Sequence, residues 1–304
     1  MGPRLRVWLL IALIAALCGA AVGGANWYRA RALGPAALLN RLPRSGALIL
    51  YVDFAALRRG GILGAIQAPV ATEDPEYRDF VRRTDFNYSR DLDAAVAAFT
   101  PSGRFLLVRG RFDWSRMRSY AQSEKGECRD SLCRMPGSTA DRHISFFPLQ
   151  SNLMALAISP DDSAAVRMQQ SVEGSMPEIP DAPVWFSIPP ELLRSGDLPE
   201  GAQPFARTLE NAESVVLSLK PEGKQVAARM NVRCRTKRDA TELTSQLSKA
   251  TALLRTMIES EHRPPNPADL SGVLSSGAFL SVDTRVTGYW RIEQAFFDKL
   301  LAGS

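Results

Sequence analysis

The sequence predicts an α+β protein. Two similar lobes, each a mostly antiparallel sheet with helices on one face, follow an N-terminal transmembrane helix. Three observations predict this. Residues 46–63, GALILYVDFAALRRGGIL, align without gaps on residues 181–198, DAPVWFSIPPELLRSGDL. Ala47 then meets Ala182, Leu57 meets Leu192, Arg59 meets Arg194, Gly61 meets Gly196 and Leu63 meets Leu198. Each copy reads as a buried strand running into a short helix that stops at a glycine, and each is followed by a hairpin and a capped helix. Finally, residues 7–25, VWLLIALIAALCGAAVGGA, carry no charge.

That first run has Arg4 and Arg6 before it and Trp27-Tyr28 after it. Its length barely reaches the ~20 apolar residues that a spanning helix needs, and the aromatic pair suits the headgroup level. A cleaved signal peptide fits the same residues, because Gly23-Gly24-Ala25 offers small side chains to a signal peptidase. Leu17 before Cys18 is too large for a lipid-attachment site. Either route leaves the bulk of the chain extracytoplasmic, single-pass at the cytoplasmic membrane if the segment is retained. The expected layout is an anchor or signal over 1–28, a tether over 29–45, lobes over 46–173 and 183–304, and a proline-punctuated linker over 174–182.

Within the first lobe, Ala47 to Phe54 is nearly all apolar without alternation, as in a strand covered on both faces, and the chemically suggestive Asp53 interrupts it near the end. Asp74-Pro75-Glu76 starts a helix with Tyr77, Phe80 and Val81 on one face. Residues 94–99 and 104–112 form a hairpin about Pro101-Ser102-Gly103. Asp113 caps a helix with Met117, Tyr120 and Ala121 inward. Strands follow near 131–136, 143–148 and 152–158, then a helix from Ser159 to just before Gly174.

In the second lobe, Val215, Leu217 and Leu219 alternate with polar or small residues. After Pro221-Glu222-Gly223, so do Val226, Ala228, Met230, Val232 and Cys234. A second self-alignment sets Arg90, Leu92, Asp93 and Ala95 on Arg207, Leu209, Glu210 and Ala212, and Gly103 on Gly223. Thr236 caps a helix to about Glu261, in which Ala240, Leu243, Leu247, Ala250, Leu254 and Met257 form a stripe for the sheet or a partner helix. Residues 277–283 are a strand. An amphipathic helix carrying Ile292, Phe296 and Leu300 ends the chain.

The 304 residues are 45% hydrophobic and 23% charged, a globular balance. The net charge of +5 comes mostly from 31 arginines against six lysines, but acidic residues are interleaved throughout, which argues against a nucleic-acid face. Two histidines limit acid/base and metal chemistry. His143 and His262 are lone, no serine or cysteine stands in a nucleophile frame, and no phosphate-binding glycine loop occurs. Asp85, Asp91, Asp93 and Asp113 cluster in sequence, but spacing alone does not pair them in space. We therefore expect no enzyme activity, no cofactor and no metal.

Cys128 and Cys133 flank four residues, a spacing that suits a hairpin disulfide in an oxidising compartment rather than a redox pair or zinc site. Arg229, Arg233 and Arg235 fall on the outward face of the hairpin, a basic surface for an acidic partner or lipid headgroups, or simply a solvated sheet face.

The segment Leu42-Pro43-x-x-Gly46 to Asp53, soon after a single apolar run, and Gly110-Arg111-Phe112-Asp113 opening a helix, resemble uncharacterised bacterial envelope proteins classed as domains of unknown function. The resemblance implies an extracytoplasmic duplicated body and transfers no functional residue. The expected role is an interaction or scaffold component with a protein partner. The alternative is a module holding a small or lipidic ligand between the lobes.

Overall fold

A computed structural model describes residues 33–61, 63, 75–139, 141–172, 174–195, 208–223, 225–260 and 266–301. The segment 1–28, expected to be an anchor or a signal, lies outside them, as do Asp74, Gly196, Arg207 and His262.

The strands are β1 (Leu48–Val52), β2 (Leu92–Thr100), β3 (Gly103–Gly110), β4 (Glu127–Arg129), β5 (Leu132–Pro136), β6 (His143–Gln150), β7 (Leu153–Ser159), β8 (Val184–Ile188), β9 (Ala212–Glu222), β10 (Gln225–Cys234), β11 (Ala278–Val282) and β12 (Arg285–Glu293). All belong to one sheet, in the order β11-β12-β10-β9-β8-β1-β2-β3-β7-β6-β5-β4, and every pairing is antiparallel. The expectation of a separate sheet for each lobe is corrected: β1 and β8 zip together, with Leu50 opposite Phe186 and Tyr51 opposite Trp185. The reason lies in their composition. β1 is apolar throughout and β8 is broken only by Ser187, so both need cover on both faces and take central positions.

The helices are α1 (Pro35–Leu39), α2 (Phe54–Arg59), α3 (Pro75–Thr84), α4 (Tyr88–Asp91), α5 (Trp114–Ser123), α6 (Ala164–Arg167), α7 (Pro190–Ser195), α8 (Lys237–Ser260), α9 (Leu270–Ser275) and α10 (Gln294–Leu301). On one face, Phe80 of α3 and Met117 and Ala121 of α5 pack on Val108, Met154 and Phe146. That face continues across the joint, where Ala240, Leu243 and Leu247 of α8 cover Val215, Met230 and Val232. On the opposite face, α1 and α6 bury Ile49, Tyr51, Val96 and Ala155. Helices therefore lie on both faces of the first half rather than on one.

The burial patterns of β1 and β8 both begin intermediate-buried-intermediate-buried. They superpose when Ile49 is set on Trp185 and Tyr51 on Ser187, one residue away from the gapless alignment. A one-residue slip sends every side chain to the other face, so pairing Tyr51 with Phe186 mixed inward with outward positions. The corrected shift also aligns two arginines. Arg58 Nε and Nη2 donate to the carbonyls of Ser89 and Leu92. Arg194 donates from the same atoms to those of Glu210 and Ala212. In both cases a guanidinium from the helix after the central strand holds the start of the next strand. Gly103 and Gly223 are not equivalent: Gly223 sits in the turn with φ of +66°, while Gly103 opens β3 against the Ile158 carbonyl.

Two more corrections concern element type. The helix expected from Ser159 to before Gly174 is only the four residues of α6. Ile292 belongs to β12, and the last helix starts at Gln294.

Candidate functional site

On β10, Val226, Met230, Val232 and Cys234 are buried and Arg229 and Arg233 are exposed, while Ala227 on the arginine side is buried too. Arg229 stands opposite Ser218 on β9 and Tyr289 on β12, and Arg233 opposite Ser214 and Arg285. Among the described residues no helix packs on this face of the second half, since the apolar clusters there gather α7 to α10 on the other side. What reaches over it is the linker, through Glu178 to Arg285 at 3.8 Å and Asp181 to Lys220 at 2.6 Å. Arg229 pairs with Glu222 at 2.7 Å and lies 5.9 Å from the Tyr289 ring centre. Arg233 has no ion-pair partner among the described residues. Arg235 is exposed one residue past the end of β10, so it borders this surface rather than standing on the strand. A guanidinium face of this kind presents planar donors for carboxylates or phosphates.

At the root of the face, where the two halves meet, a cleft of about 410 Å³ is lined by Arg44, Glu178, Glu191, Glu213 and Arg233. Arg44 is buried. It donates to the carbonyls of Leu39, Val172 and Gly174, and its Nε has no hydrogen-bond partner among the described residues. The charged lining suits a polar ligand better than a lipid chain.

A second cleft, of about 520 Å³, brings together Asp85, Asp91 and Asp113 beside Arg90, Arg111 and a wall of Phe86, Phe112 and Trp114. Each carboxylate is committed. Asp113 accepts from the backbone N–H groups of Ser115 and Arg116 as the cap of α5. Asp85 faces Arg90 at 3.5 Å and Arg116 at 4.0 Å. Asp91 is buried, 2.7 Å from Arg90 and 3.1 Å from Arg111, and accepts from the Asn87 N–H at 3.0 Å. Burial pushes the Asp91 carboxyl up, but the Arg90, Asn87 and Arg111 contacts outweigh it and hold the group below the ordinary carboxylate range. Asp93 lies apart, 3.9 Å from Arg58. Phe86 and Phe112 stack at 5.3 Å, an aromatic wall that the sequence did not announce because its members come from separate elements.

Cys128 and Cys133 face each other across β4 and β5 and are bonded, with Cα atoms 4.0 Å apart. His143 begins β6 opposite Pro136. Among the described residues no group of three or more His, Cys, Asp or Glu could hold a metal ion. Nor is any described helix long and apolar enough to cross a membrane.

No family model and no curated protein matches the chain. Its fold is similar to that of TP0453. Crystal form I of that protein aligns with a TM-score of 0.50 at 10% identity, covering 87% of this chain and 95% of that one. Crystal form III aligns with a TM-score of 0.47 at 10% identity, covering 87% and 96%. At that identity the likeness is one of fold alone.

Proposed function

We propose that the chain is a non-enzymatic, extracytoplasmic interaction component of the bacterial envelope. Residues 1–28 tether it to the membrane, and it is built of two similar halves that bind an acidic partner on the open arginine face. The observation that carries this is the unequal covering of one continuous sheet: α1 and α6 close a face of the first half, while the same face of the second half keeps Arg229 and Arg233 in solvent. The matched anchors of Arg58 and Arg194 support a duplicated scaffold. The Cys128–Cys133 bridge suits an oxidising compartment. The envelope-protein resemblance points the same way.

The test is affinity purification from solubilised membranes with mass spectrometry, comparing the natural chain with Arg229→Glu/Arg233→Glu. A partner recovered with the first and lost with the second is the expected result. Recovery of the protein alone, or of the same partners with both, contradicts the proposal. The unpartnered Nε of Arg44 beside the cleft at the joint favours one second reading, in which a small polar ligand sits between the halves.

A further inference from the structure

The two ends of the sheet differ. One end is β4, three residues long, with Glu127 and Arg129 on it and a disulfide closing it onto β5. Short, charged and clamped strands are how sheets discourage further pairing. The other end is β11, Ala-Phe-Leu-Ser-Val, with no charge and no proline. Among the described residues it pairs only with β12, so its outer row of backbone N–H and C=O groups has no strand beside it. Leu280 and Val282 on it are 65% and 60% exposed. Of the eight large apolar side chains exposed among the described residues, six lie on β11 or on α8 and α9. Those helices pack beside this edge, α8 on β11 and α9 on α8. The six include Leu253, Met257, Leu270 and Leu274.

The chain itself shows what this strand position accepts. Counted outward from the central pair, the order runs β8-β9-β10-β12-β11 on one side and β1-β2-β3-β7-β6 on the other. β6 therefore occupies the place of β11, and its outer edge carries the antiparallel strand β5. The second half has the long helix α8 in that stretch of chain, and no described strand covers β11.

We propose that the edge of β11 pairs antiparallel with β11 of a second copy of this chain. A two-fold centred on Leu280 sets Leu280 against Leu280 of the other copy, Phe279 against Ser281 and Ala278 against Val282. No like charges meet, and small residues face large ones. Such an isologous joint closes on itself, and the guarded β4 end stops growth into a fibre. Leu280 and Val282 then line the joint on the arginine face, and α8 packs on the other face of β11 in both copies. This proposal does not depend on the acidic-partner reading.

Sedimentation of the full chain in detergent at micromolar concentration tests it. The natural chain sediments as a dimer. Leu280→Lys, an exposed position, raises the dissociation constant at least about tenfold, while the thermal midpoint measured at dilutions where both chains are monomeric stays unchanged. In a Cys18→Ser background, Leu280→Cys forms a disulfide-linked dimer on mild oxidation, because facing Cα atoms of antiparallel neighbours lie about 4.5–5.5 Å apart. Lys220→Cys, on an interior strand, does not. A monomeric natural chain, a dimer unmoved by Leu280→Lys, or a different protein strand recovered on this edge would each overturn the proposal.

Discussion

At the scale of single residues, the polar side chains that looked chemically suggestive turn out to fasten the fold. Asp53, which follows β1, accepts a hydrogen bond from the Ala56 N–H at 2.7 Å and caps α2. Asp91 is the more demanding case, because a buried carboxylate without partners is costly. Asp91→Asn should destabilise the protein by about 2–3 kcal/mol at neutral pH, since it leaves Arg90, Arg111 and Asn87 poorly matched. The sign with pH follows from the depressed carboxyl. Its contribution is complete above the unfolded value of about 3.9 and is lost as pH falls through the lower folded value. Urea melts of both proteins should differ fully near pH 7, and the gap should begin to close only as pH falls below about 4. A gap independent of pH would contradict this role. The contact of Asp91 with Arg111 could not be read from the sequence, because Arg111 reaches Asp91 only after the hairpin of β2 and β3 has folded back.

At the scale of elements, legibility tracked periodicity. The hairpin of β9 and β10 stands where the pattern put it, although Val216, Ser218 and Ala227 on the arginine side are buried as well. The long helix was readable from its cap: Asp239 N–H donates to Thr236 Oγ1, and Thr236 N–H donates back to the Asp239 carboxylate, both at 3.1 Å. Thr236→Ala should therefore cost about 1 kcal/mol. Hydrogen exchange should rise first in the opening turn of α8 if this is right, and an unchanged melt would count against it. The stripe on α8 was only half informative, because Leu243 and Leu247 meet the sheet whereas Met257 stays in solvent. β12 was missed for a physical reason. Its inward row is Val286, Gly288, Trp290 and Ile292, and the glycine interrupts the apolar signal. A Cβ at Gly288 would come within 2.8 Å of the Trp290 ring, so the gap in the pattern is the space that Trp290 uses. Ile292 then joined Phe296 and Leu300 at a helical spacing that competes with the strand.

At the scale of the whole molecule, the sequence suggests a repeat but does not show how its two copies meet. Two apolar strands, each needing cover on both faces, satisfy one another by pairing. Tyr51 stacks on Trp185 at 5.5 Å across that joint, and burial there pushes the Tyr51 hydroxyl up to about 12. One sheet rather than two follows, with an arginine face open over one half and an uncharged edge at one end. Charge counts could not reveal that face, because acidic residues balance the arginines along the chain and only the strand alternation separates them. The central claim is that this face meets an acidic partner in the envelope. The most direct measurement places a photo-crosslinking residue at Asn231, between Arg229 and Arg233 in the same strand, and another at Glu127 on the guarded edge, in intact cells. An adduct to a distinct protein from position 231, absent from position 127 and abolished by Arg229→Glu/Arg233→Glu, is the result this account predicts. No adduct from position 231, or the same adducts from both positions, would contradict it.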